Sequence, residues 1–387
     1  METAAYTIVF QAAPALRSPF STAVPFSRQL IEQKRAQRVF RGRSALSVDP
    51  DELDDFYLVN ARDEGDAWRL LDALQRDGSV ELAYAAPPRR VLVGDVNPPA
   101  PSGIDSAWRE QIRLPEAMRL PQWNGRGKVD VAIVDTGCDH RHPQLSPPVV
   151  NLTTYFPAGV PYPDMIGHGT HVSGLIGARF DAANGFEGIA AACATLHVHH
   201  GMGDPHDAGA YYQALRAARS ARLINLSLGG PDEDPLETRI LTRALRNGAT
   251  IVAAIGNDGR SGSTASYPAC LPEIIAVGAV DRQGNRAEFS SYGDHIALCA
   301  PGVDIWSTVP TYPIPGLMTV GSPPLAQFSG TSMAAPIVTA VVAKMLSWND
   351  ALTRDDVRRY LCGTSGQAWN HRVGLGVIDA CATLEKL

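Results

Sequence analysis

The sequence has no run of 18 or more apolar residues, which argues against a membrane-spanning helix. It has no basic excess either. Its 34 lysines and arginines face 40 aspartates and glutamates, a formal charge of −6, so neither nucleic acid nor a membrane is expected as a main partner. The six cysteines (Cys138, Cys193, Cys270, Cys299, Cys362 and Cys381) include no Cys-x-x-Cys pair, and the expectation is reduced, mostly buried thiols. The first twenty residues lack a basic segment leading into a continuous apolar one. No signal peptide is therefore expected, and a cytoplasmic location is the reading. Internal repeats are also missing. What is present is 387 residues, 45 % hydrophobic and 19 % charged, enough for a soluble globular chain with more than one domain.

A break in composition falls near residues 87 to 103, "PPRRVLVGDVNPPAPSG", whose five prolines have linker character. The division expected is an N-terminal domain over 1–90, a Pro-rich linker over 91–104 and a larger domain over 105–387. In the first, a strand is predicted at "YTIVF", a helix over about 25–38, strands at about 44–48 and at "FYLVN", a helix in "GDAWRLLDALQRDG" and a strand at "SVELAYAA". The order βαββαβ is that of a small ferredoxin-like α+β domain. A basic run, "QKRAQRVFRGR", and an acidic one, "DPDELDDF", read as solvated faces that attract each other.

Beyond the linker, "VDVAIVDTG", "ARLINLSLGG", "ATIVAAIGN" and "EIIAVGAVD" are near-continuous apolar runs ending in turn residues, separated by helical patterns. Strands buried on both faces look like this and belong to an α/β fold with a parallel sheet and helices on both faces. Ligands of such sheets bind outside the carboxyl ends of the strands. The polar residues there are Asp135, His168 (between Gly167 and Gly169), Asn257 and Ser332. Each alone has an ordinary structural role: a strand-end aspartate, a core histidine, a helix-capping serine. Ser332 opens a helix apolar nearly all round, in which Pro336 belongs to a first turn. Together the four supply a nucleophile, a base, a carboxylate to orient the base and an amide for an oxyanion.

In that order, "VDTG", "HGTHVSG", "AAIGN" and "GTSMAAP" resemble the subtilisin-like serine proteases, or subtilases. The resemblance spans roughly residues 105 to 387, with "WREQIRLPEAMRL" similar to the family's entry helix and "LTRDDVRRYLCGTSG" and "GLGVIDACATL" to its closing segment. It implies a subtilisin fold and a serine endopeptidase acting on protein or peptide substrates through an acyl-enzyme. Asp135 would orient the imidazole, His168 act as base, Ser332 attack and Asn257 donate to the oxyanion, with His171 a neighbour only. The substrate would add a strand along Ser227, Leu228 and Gly229, with the side-chain pocket between that edge and Ala254 to Gly256. Ser266 falls where many relatives have glycine at the pocket base, which implies small or medium side chains before the cut bond. The N-terminal domain is similar in order to the subtilase inhibitor propeptide and would act as an intramolecular inhibitor ending near "YAAPPRRV". A permanent domain that shapes access is the alternative.

No cofactor and no metal site are expected. The histidines of "LHVHHGMGDPH" (His197, His199, His200 and His206) read as a strand, and "ANGFEG" has too few carboxylates for calcium. Cys138 reads as packing, with slowing by thiol reagents the lesser reading. The segment "PTYPIPGLMTVGSPPLAQ" is longer than usual for the family and would sit beside the nucleophile. Two other functions fit the same residues: a peptide ligase or macrocyclase, and a catalytically silent interaction protein.

Overall fold

Alternation fails in the first strand. Ile8, Val9, Phe10, Gln11 and Ala12 are all buried, so β1 (Thr7–Ala12) belongs in the middle of a sheet. A computed structural model of the chain describes residues 6–12, 26–39, 53–92, 107–156, 163–203, 207–263, 265–317, 319, 324–363 and 368–387. It falls into two compact units, residues 1–88 with 204–213 and residues 89–203 with 214–387.

In the first unit β1 is followed by α1 (Phe26–Glu32), β2 (Ala36–Arg38), β3 (Phe56–Asn60), α2 (Glu64–Gln75) and β4 (Val80–Ala85). The sheet order is β2-β3-β1-β4, all antiparallel, which is the ferredoxin-like arrangement. Ile8, Phe10, Leu30, Val59, Leu70 and Leu74 form its core. The first helix is shorter than the sequence pattern suggests. Lys34 adopts a left-handed φ of 57° and Arg35 N–H returns to Leu30 O, which ends the helix and frees Ala36 for β2. The strand expected at 44–48 lies outside the described residues, as do residues 40–43 of the basic run and 49–52 of the acidic one.

The second unit opens with β5 (Arg90–Val91), so the stretch of linker composition begins as a strand. The entry helix is broken in two, α3 (Ala107–Gln111) and α4 (Leu114–Ala117), because Arg113 takes a left-handed φ of 54° and Pro115 restarts the helix. Then follow β6 (Val129–Asp135), β7 (Val150–Thr154), α5 (His168–Gly177), β8 (Ala194–His200), α6 (Ala208–Ala218, which belongs to the first unit as far as Gln213), β9 (Leu223–Leu226), β10 (Leu228–Gly229), α7 (Pro235–Arg246), β11 (Thr250–Ala254), β12 (Ile275–Val280), β13 (Ile296–Pro301), β14 (Ile305–Thr308), β15 (Leu325–Phe328), α8 (Thr331–Trp348), α9 (Arg354–Cys362) and α10 (Ala380–Glu385). Seven strands make one parallel sheet in the order β13-β12-β11-β9-β6-β8-β7. Its central strands are buried throughout, in keeping with their near-continuous apolar runs. This is the α/β architecture with a large parallel sheet expected from the sequence.

Helix α8 runs through this core. Among the described residues it is the one helix long and apolar enough to cross a membrane, and it is 94% buried inside the protein. It begins at Thr331, which puts Pro336 in its second turn and not, as the sequence suggested, its first. The missing proline N–H leaves the Ser332 carbonyl, four residues earlier, without its helical donor. That carbonyl accepts from the Ser227 hydroxyl at 3.0 Å instead.

Candidate active site

Asp135 is the last residue of β6, buried, and its Oδ1 lies 2.6 Å from Nδ1 of His168, the first residue of α5. The same oxygen accepts the Thr136 N–H at 2.7 Å, which fixes the carboxylate plane. Both side chains are fully buried. Gly169 permits the approach: a Cβ there would run into the Gly137 carbonyl oxygen and come within 3.1 Å of Asp135 Oδ1. His171, one turn on, does something else. Its Nε2 meets Ile305 O at 3.0 Å and its ring stacks on Phe328 at 4.4 Å, and burial pulls its pKa down to about 3. It is a neutral packing group.

The sequence reading missed what holds α5 in place. Asp164, wholly buried, accepts from the N–H groups of Ile166, Gly167 and Thr170 and from the hydroxyls of Thr136 and Thr170. It caps the helix from four residues before His168. Burial raises its pKa against the pull of those donors. The only sequence signal is an aspartate shortly before a Gly-His-Gly turn. The long segment after β14 closes over the same turn. Thr311 donates twice to Asp139, Tyr312 exchanges hydrogen bonds with the Asp164 backbone, and Pro310, Ile314 and Leu317 lie against Gly167.

The other half of the site gathers around α8. Asn257, just beyond β11, accepts with Oδ1 from the N–H and the hydroxyl of Thr331 at 3.0 and 2.9 Å. This orients the amide, because its NH₂ must then point away from the helix. It donates to the carbonyl of Leu92 at 2.6 Å. The Leu92 N–H reaches Ser332 Oγ at 3.1 Å and Ser227 O at 3.4 Å, and Ser332 Oγ donates to Ser227 O at 2.9 Å. A buried chain of bonds backs these groups. Thr339 Oγ1 donates to Asn225 Oδ1 at 2.8 Å, Asn225 Nδ2 to Ser227 Oγ at 3.0 Å, and Ser227 Oγ to Ser332 O. Among the described residues no hydrogen bond joins the two halves. His168 Nε2 is buried without a partner among the described residues.

Residues 89 to 92 lie along this half as an added strand. Val91 pairs with Leu228 and Arg90 with Gly229, antiparallel. Leu92 is buried, and a Cβ on Gly229 would stand 3.3 Å from its Cδ1. Ser266 lies beside both Gly229 and Gly256, against which added Cβ atoms would press, and Tyr267 pairs with Gly230. Ala254 closes β11 two residues before Gly256. The strand segment, Gly256 and Ser266 therefore come together; the sequence reading puts the stretch "YAAPPRRV", which contains Arg89 and Arg90, in the cleft, but it does not name Leu92.

The remaining histidines do not converge. His197 meets Asp130 at 3.0 Å, His199 the Tyr155 hydroxyl at 3.0 Å and His200 the Thr154 hydroxyl at 3.2 Å; His206 lies outside the described residues. No cluster of three metal-ligating side chains occurs among the described residues. Cys138 is fully buried, which pushes its thiol pKa up, so it packs. Cys193, Cys299 and Cys381 are buried too, and Cys270 and Cys362 are half-buried; all six are free.

Residues 126–376 match the Subtilase family, peptidase S8. The chain is 35% identical to a subtilisin of Bacillus pumilus over 285 residues, 70% of this chain and 96% of that protein. It is 33% identical to the major intracellular serine protease of Bacillus subtilis (strain 168), over 62% of this chain and 76% of that protein. Among solved structures, fervidolysin from Fervidobacterium pennivorans, described as a keratinolytic enzyme related to subtilisin, superposes with a TM-score of 0.71 at 23% identity, covering all of this chain and 62% of that one.

Proposed function

The chain belongs to the subtilase family of serine endopeptidases, and on that premise we propose that Asp135, His168, Ser332 and Asn257 carry its chemistry and that Leu92–Val93 is its own first substrate bond. The observation that carries the reading is the Leu92 peptide: carbonyl on Asn257, N–H on Ser332 and Ser227.

Serine is a poor nucleophile until a base takes its proton. Ser332 Oγ now points at Ser227 O. For attack the hydroxyl has to turn from there to the unpartnered Nε2 of His168, which receives the proton as Oγ attacks the Leu92 carbonyl carbon. Asp135 keeps Nδ1 protonated and stabilises the imidazolium that forms. Negative charge develops on the Leu92 oxygen, where Asn257 Nδ2 already donates. The Ser332 N–H, near the start of α8 and without an intrahelical acceptor, is the second donor, at the positive end of an 18-residue helix. His168 then gives its proton to the Val93 amine, the C–N bond breaks, and water resolves the acyl-enzyme by the same route. Until the N-terminal region leaves, its Arg90–Leu92 segment blocks the cleft and acts as an inhibitor in cis. The likeness to an intracellular serine protease supports a cytoplasmic location, which cell fractionation would check.

The test is to treat the protein and its Ser332→Ala variant with a fluorophosphonate and read intact masses. We expect the wild type to lose residues 1–92 and gain one adduct, and the variant to stay full-length and unlabelled. A full-length, unlabelled wild type would overturn the reading and leave an interaction protein.

A further inference from the structure

The strand in the cleft carries two arginines, and the fold treats them differently. Successive side chains of a strand point to opposite faces. Arg90 projects outward, 67% exposed, toward Asp258 at 2.8 Å. Arg89 turns inward and is only 3% exposed. Its Nε and Nη2 meet the two carboxylate oxygens of Glu237 at 2.9 and 2.8 Å, and Nη2 also donates to the Asp232 carbonyl at 3.0 Å. Both side chains of this pair have zero exposure. Glu237 is held in turn: it lies in the first turn of α7, where Asp234 caps its N–H and the helix dipole favours a carboxylate.

We infer that Glu237 makes this cleft selective for arginine three residues before the residue that bears the cut carbonyl, so that the preferred substrates are protein segments of the form Arg-Xaa-Xaa-Leu, cut after the leucine. The inference rests on the proposed reading of Leu92 as the acyl residue. Counting back through the β5–β10 register then places Arg89 at that position. A buried carboxylate that has lost two guanidinium donors is costly, and an incoming segment that replaces them is favoured over one that does not. Arginine does so with a planar fork that matches both oxygens; lysine offers one point charge and fits less well. A neutral side chain fails on both counts.

The experiment uses quenched peptides with the sequence of residues 88–95, carrying arginine, lysine, citrulline or alanine at the Arg89 position, with Arg90 unchanged throughout. They are offered to the purified protein and to Glu237→Gln, and each sample is also labelled with fluorophosphonate. We expect kcat/KM for arginine to exceed that for citrulline or alanine by about 30-fold or more, with lysine between, as for loss of one buried charged partner. In Glu237→Gln the ratio should collapse to under about threefold, since a neutral amide no longer demands a cation. Should that variant not fold, citrulline makes the same test from the substrate side, because it keeps the shape and removes the charge. Equal rates for arginine and alanine would overturn the selectivity while leaving the protease reading intact. A labelled Ser332 with no peptide cut would overturn the assignment of this segment as substrate. No label and no cleavage would overturn both.

Discussion

Ser227 and Ser332 are bonded to each other twice, in opposite senses: Ser332 Oγ donates to Ser227 O at 2.9 Å, and Ser227 Oγ donates to Ser332 O at 3.0 Å. The second bond exists because Pro336 cannot supply the helical N–H. A proline in the second turn of α8 thus couples the proposed nucleophile to the residue that leads into β10, the strand proposed to bind substrate. Ser227→Ala should leave the Ser332 carbonyl buried without this donor and destabilise the protein by about 1–3 kcal/mol. Activity should fall about tenfold, mainly in kcat, because the loss is in the placement of Ser332 and not in substrate contact. Adding Pro336→Ala returns an N–H to the helix and should recover part of the stability but not the coupling. Urea midpoints in a Ser332→Ala background, which cannot digest itself, and peptide kinetics in the active one would check both. A Ser227→Ala protein as stable and active as the parent would contradict the account.

Ser266 stands against both Gly229 and Gly256, where we propose that the side chain before the cut bond is received. Its hydroxymethyl group takes space that a glycine would leave open. A substrate series varied at the residue before the cut bond should favour alanine, leucine and methionine over phenylalanine and tyrosine. Ser266→Gly should move the preference toward phenylalanine by about tenfold, the scale of one to two methylene equivalents of added room. A parent enzyme that already prefers phenylalanine would rule out this view of the pocket.

Much of this was legible from residue order. The strands ending at Asp135, Leu226 and Ala254 announce themselves because burial on both faces forbids polar alternation, and two of the candidate site residues, Asp135 and Asn257, lie at or just beyond such ends. The first unit's βαββαβ order was readable too, although Lys34 cuts its first helix short and β2 (Ala36–Arg38) falls inside the stretch expected to be helix, not at 44–48. What could not be read is whatever depends on a partner distant in sequence. Asp164 is one aspartate in a loop until the fold brings Thr136 and the start of α5 to it. Glu237 is an acidic residue in a first helical turn, as dipole preference alone would place it, and nothing local says that it is buried. Only Arg89, 148 residues away, reveals its role.

Three histidines of the second unit are neutral when folded, and this sets how the protein responds to acid. His171 has its pKa pulled to about 3, and His199 and His200 to about 4, in each case chiefly by burial. In the unfolded chain all three take a proton near 6.5. Between those values the unfolded state binds more protons than the native one, so stability falls as the pH drops from about 6.5 toward 4. For fully buried His171 the slope approaches about 1.4 kcal/mol per pH unit; His199 and His200, less completely enclosed, add less. Asp164 works the other way, since a raised carboxyl pKa favours the native state on acidification, but only near and above the usual carboxylate range. Urea unfolding of Ser332→Ala at pH 7.5, 6.5, 5.5 and 4.5 should show a flat region above about 7 and a steep loss below it. His171→Gln keeps a polar side chain facing the Ile305 carbonyl but cannot take up a proton. It should lower stability at pH 7.5 and make the acid slope shallower by up to one proton's worth. An unchanged slope would mean that His171 is protonated in the native state after all, and that its stacking on Phe328 is the contact of a cation.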